Sequence, residues 1–167
     1  MVLESYIRNR LNEKDILLMT HIVLGYPSFE DSLELIRVMV AAGVDLMELQ
    51  IPFSEPTADG PIIVNANQRA LESGATIKDC LSLAKKVVRI FDIPFLIMSY
   101  YNIPFTYGLK RFVAAMSSCG LRGAIIPDLP PEEGQEYLDK MKAYDLAPIL
   151  IFSPATSFDR MRYITSF

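Results

Sequence analysis

Strands that are mainly apolar runs, without polar alternation, leave a chain few architectures to choose from. This sequence has five such runs, LLMTHIVLG, VDLMELQI, IPFLIMSYY, LRGAIIPD and LAPILIF, and helical spacing follows each of them. Runs without polar alternation are buried on both faces, which means a parallel sheet covered by helices. The helices carry their own punctuation. SFEDSLELIRVMVAAG opens on Ser28 as N-cap, with Asp31 three residues on, and stops at Gly43. PIIVNANQRALESG has Pro61 in its first turn and Gly74 at its end, and ATIKDCLSLAKKVVRIF forms a second helix in the same connection. YGLKRFVAAMSSCG closes at Gly120, PPEEGQEYLDKMKAYD follows the fourth strand, and ATSFDRMRYITSF opens on Thr156 or Ser157. Leu3, Ile7 and Leu11 give the N-terminus one short amphipathic helix.

Two architectures are built this way, an open doubly wound sheet and a (βα)8 TIM barrel. Both place chemistry at the C-terminal ends of the strands. LGYPSFED after the first strand is neither G-x-G-x-x-G nor a Walker loop, which disfavours a nucleotide-binding open sheet. A barrel needs three further units and about 250 residues. The final helix reaches Ile164 and Phe167 without a glycine, a cationic last turn or a proline. The expectation is therefore one barrel-type domain over 1–167, cut off on its C-terminal side.

Composition narrows the chemistry. Hydrophobic residues make up 51%, so the chain can bury a core, and the net charge of −4 offers no basic face for nucleic acid or an anionic membrane. No run is long and apolar enough for a membrane span, and MVLESYIRNRLNEKD lacks the apolar centre of a signal peptide, so a cytoplasmic address is expected. Cys80 and Cys119 are too few for a disulfide framework and read as small buried apolar residues. His21 is the single histidine, which excludes a multi-histidine metal site and limits nucleophilic triads to that one residue.

The expected strand ends are Gly25, Glu48, Tyr100 with Tyr101 and Asn102, Asp128, and Ser153. No lysine is among them, which weighs against a Schiff-base aldolase. What remains is acid–base work by carboxylates. Glu48 is flanked by Leu46, Met47, Leu49 and Ile51; pointed into a barrel mouth, it would lose solvent and its pKa would rise towards the useful range. Pointed outward, or paired with an arginine, it would be structural. Asp59, before Gly60-Pro61, reads by itself as a turn or cap residue.

The stretch ELQIPFSEPTADGP, residues 48–61, closely resembles the signature of the tryptophan synthase alpha subunit family. The resemblance continues through NANQRALESG, MSYYN, IIPDLPPEE and APILIFSP and covers nearly the whole chain. It implies a (βα)8 barrel that cleaves indole-3-glycerol phosphate to indole and glyceraldehyde 3-phosphate in tryptophan biosynthesis. By resemblance, Glu48 moves the protons of this retro-aldol cleavage, and Asp59 accepts the indole N–H as the ring becomes cationic. Tyr100, Ile125 and Ile151 match positions lining the indole pocket. Pro52, Pro56 and Asn102, with Glu55, match positions facing the beta subunit. That partner forms a heterotetramer with the alpha chain, carries pyridoxal phosphate and receives indole; no cofactor is implied for this chain. Asp128 matches a family aspartate read as positioning its loop. Asp59 would then ride on a loop able to close over substrate.

The sequence departs from the family pattern in four places. Gln50 stands where glycine is usual, and could narrow the site or hydrogen-bond the acid. Glu55 and Thr57 replace an aspartate and an apolar residue. His21 occupies a first-strand position that usually lines the pocket, and reads either as a hydrogen-bonded core histidine or as a second charge near Glu48. The family's phosphate-binding loops correspond to sequence beyond Phe167. Two other readings therefore stand beside the enzyme: a non-catalytic partner of the beta subunit, and an inactive truncated product.

Overall fold

A computed structural model describes residues 2–167; Met1, at the head of the N-terminal stretch, lies outside the described residues. Helix α1 (Leu3–Leu11) leads into five βα units: β1 (Met19–Val23), α2 (Phe29–Ala41), β2 (Leu46–Gln50), α3 (Pro61–Glu72), α4 (Ile77–Ile90), β3 (Phe95–Met98), α5 (Asn102–Tyr107), α6 (Leu109–Cys119), β4 (Gly123–Ile125), α7 (Gln135–Ala143), β5 (Ala147–Ile149) and α8 (Phe158–Ile164). The five strands are all parallel and lie in sequence order, β1-β2-β3-β4-β5. A doubly wound sheet reverses its strand order at a switch point. This one never reverses, so it is an arc of a (βα)8 barrel.

The side chains divide by parity, as a pleated strand requires. Ile22, Met47, Leu49, Phe95, Ile97 and Ala124 point outward into the main core, under the helices. Leu46, Leu96, Met98, Tyr100 and Ile125 face the concave side, where Leu3 of α1 packs beneath them. The pairing His21↔Glu48, Glu48↔Leu96, Leu96↔Gly123 and Gly123↔Ala147 makes one row across the concave face. At Gly123 a Cβ would stand 2.3 Å from the Ala147 carbonyl oxygen, so only glycine admits β5 at this distance.

Helix boundaries follow the local signals. Ser28 caps α2 by accepting from the Asp31 N–H, Pro61 is at the start of α3, and Ser157 caps α8. Three features differ from the sequence expectation. NIPFTY forms a separate helix, α5, because Pro104 sits in its first turn, where a missing N–H leaves no bond unmade; Gly108 at φ +89° then separates it from α6. Residues 130–134 of PPEEG form a turn, and α7 begins only at Gln135. LAPILIF is strand only over Ala147–Ile149, because its partner β4 ends at Ile125 and, among the described residues, no strand lies beside residues 150–152. Cys80 and Cys119 are buried free thiols, and burial holds Cys80 up at about 12.

Below the sheet, Asp45 is 1% exposed. It accepts from Arg10 at 3.0 Å, Lys14 at 2.7 Å and the Leu18 N–H at 3.0 Å, while Tyr6 donates to its carbonyl oxygen. The Lys14 hydrogen bond, with those from Leu18 and Arg10, holds its pKa at about 2. This cluster pins α1 across the bottom of the arc.

Candidate active site

Parity places His21, Glu48 and Gln50 on the concave face, towards the C-terminal ends of the strands. Glu48 stands in the middle strand of a row with His21 and Leu96 on either side. It is half-buried, and desolvation raises its pKa, with the charge of His21 offsetting part of the rise. Among the described residues it has no hydrogen-bond or ion-pair partner. It is the inward-facing, unpaired acid that the structural alternatives for Glu48 would have excluded.

Gln50 lies two residues further, about 6.6 Å along the strand, on the same face. It is fully buried and sits at the centre of a polar cluster. Its Oε1 lies 2.7 Å from His21 Nε2; its Nε2 donates to Asp59 Oδ2 at 2.8 Å and to Asn67 Oδ1 at 3.4 Å. Gln50 hydrogen-bonds an acid, as its chemistry allows, but the acid is Asp59 and not Glu48. Asp59 is thereby fixed above Glu48, facing the same concave surface.

The loop after β2 is tied at several points. Tyr100, buried at the end of β3, accepts the Ala58 N–H at 3.0 Å and stacks on Phe53 at 5.3 Å. Asn67 accepts the Phe53 N–H at 2.9 Å. Burial, with the Asp59 charge close by, pushes the Tyr100 phenol up to about 12, so it stays a neutral hydroxyl. These bonds tie the loop to the strand ends in this structure. Asn67 joins this buried polar cluster, and sequence reasoning missed it. A buried asparagine on the inner face of a helix following an acid-bearing loop was the available signal.

The other expected residues are less uniform. Ile125 is buried on the concave face beside Tyr100. Ile151 is 54% exposed, because it lies past the last pairing of β5. It lines a groove of about 600 Å³ with Ala58, Asp128 and Leu150, to which neither Glu48 nor Asp59 contributes. Pro52 and Pro56 are buried in this chain, whereas Glu55 and Asn102 are exposed. Both Asp128 oxygens accept the Tyr101 N–H, at 2.9 and 3.0 Å, which positions the turn into α5. Among the described residues no group of three or more His, Cys, Asp or Glu could hold a metal, and no helix is long and apolar enough to cross a membrane.

The family model for the tryptophan synthase alpha chain matches residues 7–167. The chain is 58% identical over 163 residues to the tryptophan synthase alpha chain of Syntrophotalea carbinolica, covering 98% of this chain and 64% of that protein. A solved structure from Aquifex aeolicus superposes with a TM-score of 0.94 at 38% identity, covering 99% of this chain and 66% of that one. The tryptophan synthase subunit alpha of Legionella pneumophila superposes with a TM-score of 0.89 at 32% identity, covering 96% and 62%. The chain thus spans less than two thirds of the length of the Syntrophotalea carbinolica protein. The arc of parallel βα units agrees with this match: the chain belongs to the tryptophan synthase alpha chain family.

Proposed function

We propose that this chain carries the acid–base residues for retro-aldol cleavage of indole-3-glycerol phosphate to indole and glyceraldehyde 3-phosphate, a lyase step of tryptophan biosynthesis. The observation that carries the reading is Glu48: a desolvated, unpaired carboxyl on the concave face with its pKa raised. A carboxyl so placed can deliver a proton to indole C3 and take one from the glycerol hydroxyl. Asp59 accepts the ring N–H and stabilises the positive charge that grows there. Tyr100, Ile125 and His21 shape the ring's surroundings, with Ile151 at the rim. The partner in this reading is a beta subunit, which carries the pyridoxal phosphate and meets Glu55 and Asn102, the exposed members of the expected interface. No cofactor is assigned to this chain. The net charge of −4 favours neither nucleic acid nor an anionic membrane as partner, and a cytoplasmic address belongs to the same reading.

The test is indole release from indole-3-glycerol phosphate by the purified chain, with and without a beta subunit, beside Glu48→Gln. Release that disappears in the variant supports the reading. Beta-subunit binding without release in either condition replaces it with a non-catalytic partner role.

A further inference from the structure

We infer that Gln50 is a positioning residue: its one buried amide holds the Asp59 carboxylate and fixes His21 as the Nε2–H tautomer, leaving Nδ1 as the open nitrogen of the residue in register with Glu48. The role given to Asp59 rests on the acid–base reading above; the tautomer does not.

The argument starts at two backbone groups that cannot turn over. The Phe53 N–H donates to Asn67 Oδ1 at 2.9 Å, and Asn67 Nδ2 donates to the Ile63 carbonyl at 2.8 Å. These bonds fix which end of the Asn67 amide is oxygen. That oxygen faces Gln50, and so does Asp59 Oδ2, a carboxylate oxygen that only accepts. Two acceptors meet the two protons of Gln50 Nε2. Turning the Gln50 amide over would set its oxygen against both of them in a fully buried place, at the cost of unmade buried hydrogen bonds. Gln50 Oε1 is therefore committed to His21, 2.7 Å away, and His21 Nε2 must carry the proton. Gln50, Asp59 and Asn67, from a strand, a loop and a helix, thus fix the polarity of the contact to His21, the one histidine of the chain.

Two measurements test this on the full chain. With 15N-labelled histidine, His21 gives a single imidazole signal set. With the imidazole neutral, the wild-type ring is expected as the Nε2–H tautomer. In Gln50→Met it is expected to average between tautomers. A wild-type ring in the Nδ1–H form overturns the inference without any variant, and an unchanged ring in Gln50→Met overturns it equally. Indole binding is read from indole fluorescence, since the chain has no tryptophan. Gln50→Met is expected to weaken indole about tenfold and to leave 1-methylindole unchanged, because the methylated nitrogen has no proton for Asp59. Equal weakening of both ligands means that Gln50 only supports the fold, and overturns the positioning of Asp59. If the wild-type chain binds neither ligand, the acid–base reading and the role of Asp59 fall together, and the tautomer still decides for Gln50.

Discussion

Asp45 and Glu48 stand three residues apart around one strand, and the fold treats them in opposite ways. Asp45, just before β2, is enclosed by two cations and a backbone N–H, and its pKa falls to about 2. Glu48, within β2, has lost water and gained no hydrogen-bond or ion-pair partner among the described residues; the charge of His21 offsets only part of that loss, so its pKa rises. Burial alone does not tell a structural acid from a chemical one. What separates them is whether the partners that replace water also stabilise the ionised form. The bottom of the arc spends its polar side chains on holding α1 in place. The mouth keeps one carboxyl unpaired and ties down everything around it.

The comparison breaks most sharply at Glu48. Glu48→Gln is expected to lower indole release at least about a hundredfold while the circular dichroism spectrum stays unchanged. Burial favours the neutral acid in the folded chain. Glu48 therefore supports folding below the ordinary glutamate range and opposes it once the pH passes its raised folded pKa. Glu48→Gln should melt above the parent at neutral pH and level with it near about pH 3. A variant that melts lower at neutral pH would show that the glutamate has a stabilising partner after all.

Asp59→Asn comes next, with an expected loss of about 10² in the rate of release and little change in melting, since an amide can still meet Gln50. A loss of melting temperature as large as the loss of rate would make Asp59 a structural residue like Asp45. Asp45→Ala reverses the pattern. It should lower stability by about 2 kcal/mol by denaturant titration, because it removes hydrogen bonds to two charged groups, and leave the site chemistry alone. The contribution of Asp45 is full above the ordinary carboxylate pKa of 3.8 and is lost as the pH falls towards about 2. Acid titration of the parent should show a loss of stability in that window that is absent from Asp45→Ala. The smallest effect is expected from Tyr100→Phe, about 1 kcal/mol, from the bond to the Ala58 N–H alone.

Much of this was legible in the chain. Five largely apolar runs without polar alternation, separated by helices with their own caps, point to a covered parallel sheet. The absence of a phosphate loop after the first of them points away from a nucleotide fold. Glu48 is visible as an acid inside an apolar strand, and the period of two puts Gln50 on its side of the sheet. Ser28, Pro61 and Gly120 mark helix ends by local chemistry that needs no tertiary context. The helix α5 was not legible, because a proline reads as a breaker until its place in the first turn is known. Nor was the end of β5, because a strand exists only where another strand pairs with it.

What the sequence determined by itself is therefore whatever depends on neighbours along the chain: the alternation, the caps, the burial of both strand faces and the parity that turns Glu48 inward or outward as a set with its strand. Tertiary structure decided which set faced inward and which polar groups met there. His21 and Gln50 are 29 residues apart, and Gln50 and Asn67 are 17 apart. No local rule pairs them; they meet because strand register and helix packing bring them into one buried cluster. The same holds for the two acids. Their opposite pKa shifts come from residues distant in sequence, since a charge responds to what surrounds it in space.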